Sequence, residues 1–354
     1  MAHFWNTNKQ KLVTEVAPQE PYFKKAYDFM MAWLNGTSEI ELRTSGSTGA
    51  PKPIRITRNR FILSAEQTGE ILQLGAGTKA LVCLNIEYIA GMMMLIRGLE
   101  LNWDLCIIEP DGNPFLSINQ AVDFVAMVPM QLENCLENNA TRAKLAAVKS
   151  VLLGGAPVSD SLILKLKGLP TRVFQSYGMT ETVSHIALRQ LHPVMQTNYQ
   201  PVMGVQLGVD PRGCLHITGE VSNFERVQTN DLVVLEDNQH FRWLGRADNV
   251  INSGGVKIVL DVLDQKMASV FKEINWKYNF FSWYQEDALL GQKLILFIEQ
   301  EEDHLKEKDI IFELSKGLTR YETPKHVYFV ARFEKTPSQK IDKRNTAINY
   351  LNKI

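Results

Sequence analysis

The chain has 354 residues, 45% of them hydrophobic and 22% charged, and a formal net charge of −1. The length favours two domains over one, and the composition is that of an ordinary soluble globular protein. A charge so close to zero excludes a bulk electrostatic attraction to nucleic acid or to an anionic membrane.

From about residue 61 to 175, helix-like and strand-like runs alternate. FILSAEQTGEILQL (61–74) has helical spacing, KALVCLN (79–85) reads as a buried strand, GMMMLIRGLEL (91–101) as helix and WDLCIIEP (103–110) as strand. AVDFVAMVP (121–129) reads as strand, PMQLENCLEN (129–138) as helix, SVLLGG (150–155) as strand, SLILKLKGL (161–169) as helix and TRVFQSYG (171–178) as strand. Repeated β-α-β alternation with continuously apolar strands predicts an α/β fold whose parallel sheet is covered by helices. From 185 to 246 the pattern changes to short strands, HIALRQL, GVQLGV, CLHITGEV, LVVLED and HFRWLG, separated by turn signals such as DPRG and EDNQ. This predicts a small antiparallel β subdomain. GRADNVINSGGVKI (245–258) follows as a polar, glycine-rich crossing. Beyond it LDVLDQKMASVF, KLILFIE, KDIIFELSKGL and HVYFVARF read as helix, strand, helix, strand, a small α+β domain. The expected division is a large N-terminal domain, 1–246 (α/β 1–184, β-rich 185–246), and a C-terminal domain, 250–354.

Four cysteines, Cys83, Cys106, Cys135 and Cys214, are scattered without a C-x-x-C pair, and three of them lie in apolar runs. Buried free thiols in a reducing compartment are expected. The opening MAHFWNTNKQKL has no apolar core of signal-peptide length. The most apolar later stretch, IAGMMMLIRGL, is short and interrupted by Arg97, which argues against integral membrane association. The cytoplasm is the expected location.

TSGSTGAPK (44–52) has the composition of a phosphate cradle: glycines let backbone N–H groups turn towards an anion, Thr44, Ser45, Ser47 and Thr48 carry hydroxyls, and Lys52 adds a positive charge. It is not a Walker A loop, because Pro51 precedes Lys52 and Pro53 follows it. The spacing of Gly46, Ser47, Thr48 and Gly49 also fails as a G-x-S-x-G nucleophile elbow. QSYGMTET (175–182) sits where a strand ends, and a Thr-Glu pair there suits a phosphate and a magnesium ion; read by itself, it is a helix N-cap. TNDLVV (229–234) supplies Asp231, the crossing supplies Arg246, and KTPSQKIDK (335–343) supplies Lys340. Singly, each is a turn or a solvated charge.

Together and in this order, these segments resemble the adenylate-forming superfamily of acyl-CoA synthetases, luciferases and peptide-synthetase adenylation domains. TSGSTGAPK is similar to its phosphate loop, SYGMTET to its Y-G-x-T-E segment, TNDLV to its T-G-D segment, GRADNVINSGGVKI to its hinge and TPSQK to its P-x-G-K lysine loop. Asn230 and Gln339 stand where glycine is usual, and the phosphate loop arrives early, which implies a shortened N-terminal part. NIEYIAGMMMLIRGLELNWDLCI, VPMQLENCL and VLLGGAPVS resemble segments of o-succinylbenzoate–CoA ligases of menaquinone biosynthesis, with Tyr88 in place of the usual histidine and Ala90 in place of serine.

The resemblance implies an AMP-forming ligase using ATP, Mg2+ and CoA as cosubstrate, with small-molecule substrates and no nucleic acid; a homodimer is left open. It implies that Thr44, Ser45, Gly46, Ser47, Thr48, Gly49 and Lys52 bind the ATP phosphates, that Thr180 contacts the α-phosphate and that Glu181 positions the metal. Gly154, Gly155, Ala156 and Tyr177 would line the adenine site, and Asp231 and Arg246 would bond the ribose. Lys340 would bridge carboxylate and α-phosphate. Asp248 would be the hinge about which a C-terminal lid rotates, bringing Gly254, Gly255 and Lys257 to the CoA channel. Tyr88 and Arg97 are the expected acid-pocket residues, and for Arg97 the competing reading is a side chain that snorkels to the surface. Two alternatives are a ligase for another aryl or fatty acid and a catalytically degenerate nucleotide-binding paralogue.

Overall fold

The computed structural model describes residues 4–43, 53–237, 239–300, 307–336 and 341–353. The chain divides into two compact units, one of Met1–Gly208, His216–Thr229 and Leu235–Arg242, the other of Val209–Leu215, Asn230–Val234 and Trp243–Ile354.

The first unit is built on an eight-stranded sheet in the order Trp5–Thr7, Asp104–Ile107, Lys79–Val82, Phe124–Met127, Ser150–Leu153, Arg172–Gly178, His185–His192, Gln200–Pro201. Its five central strands are parallel. Runs such as FVAM and SVLL are buried at every residue, which suits a sheet covered on both faces. Successive side chains feed opposite cores. Ala80, Val82, Leu105, Ile107 and Phe124 pack with residues of the helices Pro21–Leu34, Arg58–Leu72 and Ile89–Glu100. Leu81, Cys83, Cys106, Val125 and Met127 pack with residues of Pro129–Glu137, Asn139–Ala146 and Asp160–Lys165. All four cysteines are free and buried, as expected.

The sheet is mixed rather than wholly parallel. Trp5–Thr7 runs antiparallel to Asp104–Ile107, and His185–His192 runs antiparallel to Arg172–Gly178. HIALRQL is expected in a separate β layer; it instead joins the main sheet, because a tight reversal at 179–184 returns the chain beside the strand it has just left. The helix Pro21–Leu34, absent from the elements expected above, buries Phe23, Ala26, Met30 and Trp33 on one face, a helical period.

The strands Gln206–Val209, Cys214–Thr218, Val227–Leu235 and Phe241–Arg246 are neighbours in chain order. The run CLHITGEV leaves the strand at Thr218 and turns at Glu220–Ser222.

In the second unit a sheet runs Val256–Val259, Val250–Ser253, Gly291–Glu299, Phe280–Asp287, with His326–Val330 pairing parallel to Gly291–Glu299. Leu294, Leu296 and Ile298 face residues of the helices Leu260–Glu273 and Glu307–Gly317. Ile295 and Phe297 face Phe281, Phe333 and Ala347, the last on the helix Lys343–Leu351. The expected α+β character is observed. The polar, glycine-rich crossing is from Val250 a two-residue hairpin. Gly254 and Gly255 form its turn at φ +57° and +80°, a turn whose central residues both need positive φ. Among the described residues no helix is long and apolar enough to cross a membrane.

Candidate active site

The first unit gathers several expected site residues at the carboxyl ends of adjacent parallel strands, where open α/β sheets bind ligands. Gly154, Gly155 and Ala156 follow Ser150–Leu153, and Tyr177 lies near the end of the neighbouring Arg172–Gly178. A Cβ on Gly154 would meet Ser176 Oγ at 3.0 Å, and Gly155 has φ +82°, so both positions favour glycine. The Tyr177 ring lies 5.0 Å from Phe241 edge-on and 5.8 Å from Tyr199, giving a rigid aromatic wall. Arg189 lies over Tyr199 at 5.2 Å.

Beyond Tyr177 the backbone makes a crowded reversal. A Cβ on Gly178 would lie 2.2 Å from the Ser184 carbonyl oxygen. Thr180, Glu181 and Thr182 form one 3-10 turn, in which Thr180 is the first helical residue and Met179 the cap. Met179 N–H donates to Thr182 Oγ1 at 3.2 Å, and that hydroxyl lies 2.9 Å from the Ser184 carbonyl it donates to. Val183, fully buried, has φ +68° and ψ −56°, with Ser184 N–H on the Thr182 carbonyl at 2.7 Å. That is a γ-turn of the rare, strained hand. The Thr180 hydroxyl and the Glu181 carboxylate have no hydrogen-bond partner among the described residues. No group of three metal-ligating side chains exists among those residues. A single carboxylate without a hydrogen-bond partner among the described residues is compatible with magnesium, which is held by one or two carboxylates plus substrate oxygens.

Next to this turn lies Arg97. It is 2% exposed, so the snorkelling alternative is excluded. Its Nε donates to Thr68 Oγ1 at 3.1 Å and its Nη2 to Ser184 Oγ at 2.8 Å. Both partners are neutral hydroxyls. Burial pushes its pKa down to about 10. His185, also buried, stands with Nε2 at 3.4 Å from Thr68 Oγ1, and burial followed by the Arg97 charge pushes its pKa down to about 3. A neutral imidazole and an unneutralised guanidinium therefore share one polar pocket in the core. Tyr88 is not brought to it. It precedes the helix Ile89–Glu100 and is 52% exposed, whereas Arg97 occupies the last turn. Nine residue steps along the helix separate them by about 13 Å.

The second unit brings together Asp231, Arg246 and Asp248. Arg246 Nη2 lies 2.7 Å from Asp248 and Nη1 lies 3.8 Å from Asp231. Burial works against the Arg246 charge, but Asp248 and Asp231 more than offset it and raise its pKa. Trp243 Nε1 donates to Asp231 at 3.2 Å. Asn230 donates to Asp248 at 3.1 Å, and Asp261 fixes the Arg246 backbone N–H at 2.9 Å. Lys257 is exposed on the hairpin whose turn is Gly254–Gly255. The phosphate-loop residues Thr44 to Gly49 and Lys52, and the loop lysine Lys340, lie outside the described residues. Ser184, His185, Asn230 and Asp261 are absent from the sites expected from sequence. Only Asn230 carried a local signal, as a departure from a motif.

A model of the family "AMP-binding enzyme" matches residues 43–215. The 2-succinylbenzoate–CoA ligase of Bacillus cytotoxicus is 24% identical over 335 residues, covering 85% of this chain and 68% of that one. The ligase of the same name from Enterococcus faecalis is 23% identical over 383 residues, covering 94% and 76%. Among solved structures, an acyl-CoA synthetase (AMP-forming)/AMP-acid ligase II-like protein from Dyadobacter fermentans is 52% identical, covering 98% of this chain and 99% of that one with a TM-score of 0.67. The o-succinylbenzoate coenzyme A synthetase of Bacillus subtilis in complex with ATP and magnesium is 19% identical with a TM-score of 0.71, covering 87% and 69%, a likeness of fold.

Proposed function

On the premise that this chain belongs to the AMP-binding enzyme family, as an AMP-forming acid–CoA ligase, we propose that its acid is 2-succinylbenzoate, activated as acyl-AMP and passed to CoA, a step of menaquinone biosynthesis as the sequence resemblance implies. The observation that carries the reading is Arg97. A buried guanidinium held only by hydroxyls is costly unless an anion completes it, and an aryl carboxylate remote from the reacting one is such an anion. Ser184 and neutral His185 offer further polar contacts without adding positive charge. The 23–24% identity to ligases of that name supports the same acid.

In this reading the acid carboxylate attacks the α-phosphate of ATP, and pyrophosphate leaves. Thr180 and the 44–52 loop hold phosphate oxygens, and Glu181 would hold the magnesium, which when bound would supply positive charge against them. Gly154, Gly155, Ala156 and Tyr177 hold adenine, and Asp231 with Arg246 holds the ribose hydroxyls. Lys340 supplies a cation at the new P–O bond. Rotation of the C-terminal part, beyond residue 250, about Asp248 then withdraws Lys340 and presents Gly254, Gly255 and Lys257 to the incoming thiol. The CoA sulfur adds to the acyl carbon and AMP departs. A cytoplasmic location fits these substrates.

The test is pyrophosphate release by the purified protein with a panel of acids, with and without CoA. Turnover with 2-succinylbenzoate, made multiple by CoA, is expected. Turnover confined to another aryl or fatty acid would replace the substrate. ATP binding without turnover of any acid would indicate a degenerate site.

A further inference from the structure

Arg60 has no part in the scheme above. It lies in the first turn of the helix Arg58–Leu72, which follows the strand leading out of the phosphate-loop segment. A cation there works against the helix dipole. Burial lowers its pKa, against a smaller opposing effect of Glu225. Its hydrogen bonds go to neutral acceptors. Nε donates to the Val221 carbonyl at 2.8 Å, and Nη2 donates to the Glu181 carbonyl.

The turn that Arg60 reaches has little regular structure to hold it. Thr180–Thr182 is a single 3-10 turn, and the strained γ-turn at Val183 follows directly. Such conformations persist only when their surroundings over-determine them. The Thr182 hydroxyl fixes the turn from inside, on Met179 and Ser184. Arg60 fixes it from outside, at the backbone of Glu181, whose carboxylate has no hydrogen-bond partner among the described residues. We propose that Arg60 is a positioning residue for Glu181: it sets the place of the Glu181 main chain, and so the aim of its carboxylate, relative to the helix that leads away from the phosphate loop. This rests on the reading of Glu181 as the magnesium carboxylate.

The test compares Arg60→Met, Arg60→Lys and, as reference, Glu181→Gln. Mn2+ binding is measured from the electron paramagnetic resonance of free Mn2+, in the presence of a non-hydrolysable ATP analogue. The analogue's own affinity is measured without metal. Loss of a residue that orients a metal ligand weakens metal binding by about ten-fold or more. Arg60→Met should show that loss, and Arg60→Lys a smaller one, with analogue affinity in the absence of metal within about two-fold. Arg60→Met combined with Glu181→Gln should bind Mn2+ no more weakly than Glu181→Gln alone. If Arg60→Met fails to fold, Arg60→Lys carries the comparison. Wild-type Mn2+ affinity in a folded Arg60 variant, or an equal loss of metal-free analogue binding, overturns the proposal while leaving Glu181 in place. Unchanged Mn2+ binding in Glu181→Gln overturns the reading of Glu181, and the proposal with it.

Discussion

Asn230 donates its side-chain amide to Asp248 at 3.1 Å and accepts from Arg212 at 3.3 Å, so the residue before Asp231 is tied to the expected hinge aspartate. Glycine, usual at this position in the resembled superfamily, has no side chain to make that bond. A hydrogen bond to a charged group is worth ~1.5–3 kcal/mol, less when part-exposed as here. Asn230→Gly is expected to remove one of the side-chain bonds on Asp248, leaving that to Arg246 in place, and to raise the rate of thioester formation from preformed acyl-AMP by up to roughly ten-fold. Acid-dependent pyrophosphate release should stay within about two-fold, since no contact to the reacting groups is lost. Single-turnover assays of the two half-reactions decide it, and an unchanged ratio between them removes the tether.

Arg97→Met should separate stability from function. It removes a buried, unneutralised cation at nearly equal volume, so the melting temperature is expected to hold or rise. The KM for 2-succinylbenzoate should rise roughly ten- to a hundred-fold, the value of a charge-assisted pair, with ATP affinity little changed. Calorimetry and the two constants test it together. An unchanged acid KM would take Arg97 out of the pocket.

Gly178→Ala places a methyl 2.2 Å from the Ser184 carbonyl, and backbone on both sides must shift. A loss of about 2 kcal/mol or more, roughly 4–8 °C in melting temperature, is expected. Adenylation should fall further than stability does, because Tyr177, Thr180 and Glu181 move with the turn. Full adenylation activity in a folded variant would show that the reversal tolerates displacement.

His185 has a folded pKa near 3 against about 6.5 unfolded. The unfolded chain therefore binds the extra proton between these values. The stability tied to neutral His185 is fully present above about pH 6.5 and is lost as pH falls towards 3, at up to about 1.4 kcal/mol per pH unit. Urea unfolding at pH 7.5 and at pH 5 measures the slope. His185→Asn should flatten it, and an equal slope in the variant would assign the acid sensitivity elsewhere.

The central sheet was readable in the sequence because its determinants are local. Runs such as KALV and SVLL bury both faces, and turn residues punctuate them, so strand and helix alternate visibly. Asp231, Arg246 and Asp248 were likewise recognisable as motif members, and the structure brings the three together. What sequence spacing does not carry is which distant groups meet. The return of His185–His192 to the main sheet depends on a reversal that fits only because Gly178 lacks a Cβ and Val183 accepts a strained φ. The fate of Arg97 depends on Thr68, 29 residues before it, and Ser184, 87 residues after it. Arg60 reads as one more surface cation until the fold sets it 121 residues away from its own position, on the Glu181 carbonyl. Burial and partner choice for a charged side chain are properties of three-dimensional neighbours, and tertiary packing alone decided them here.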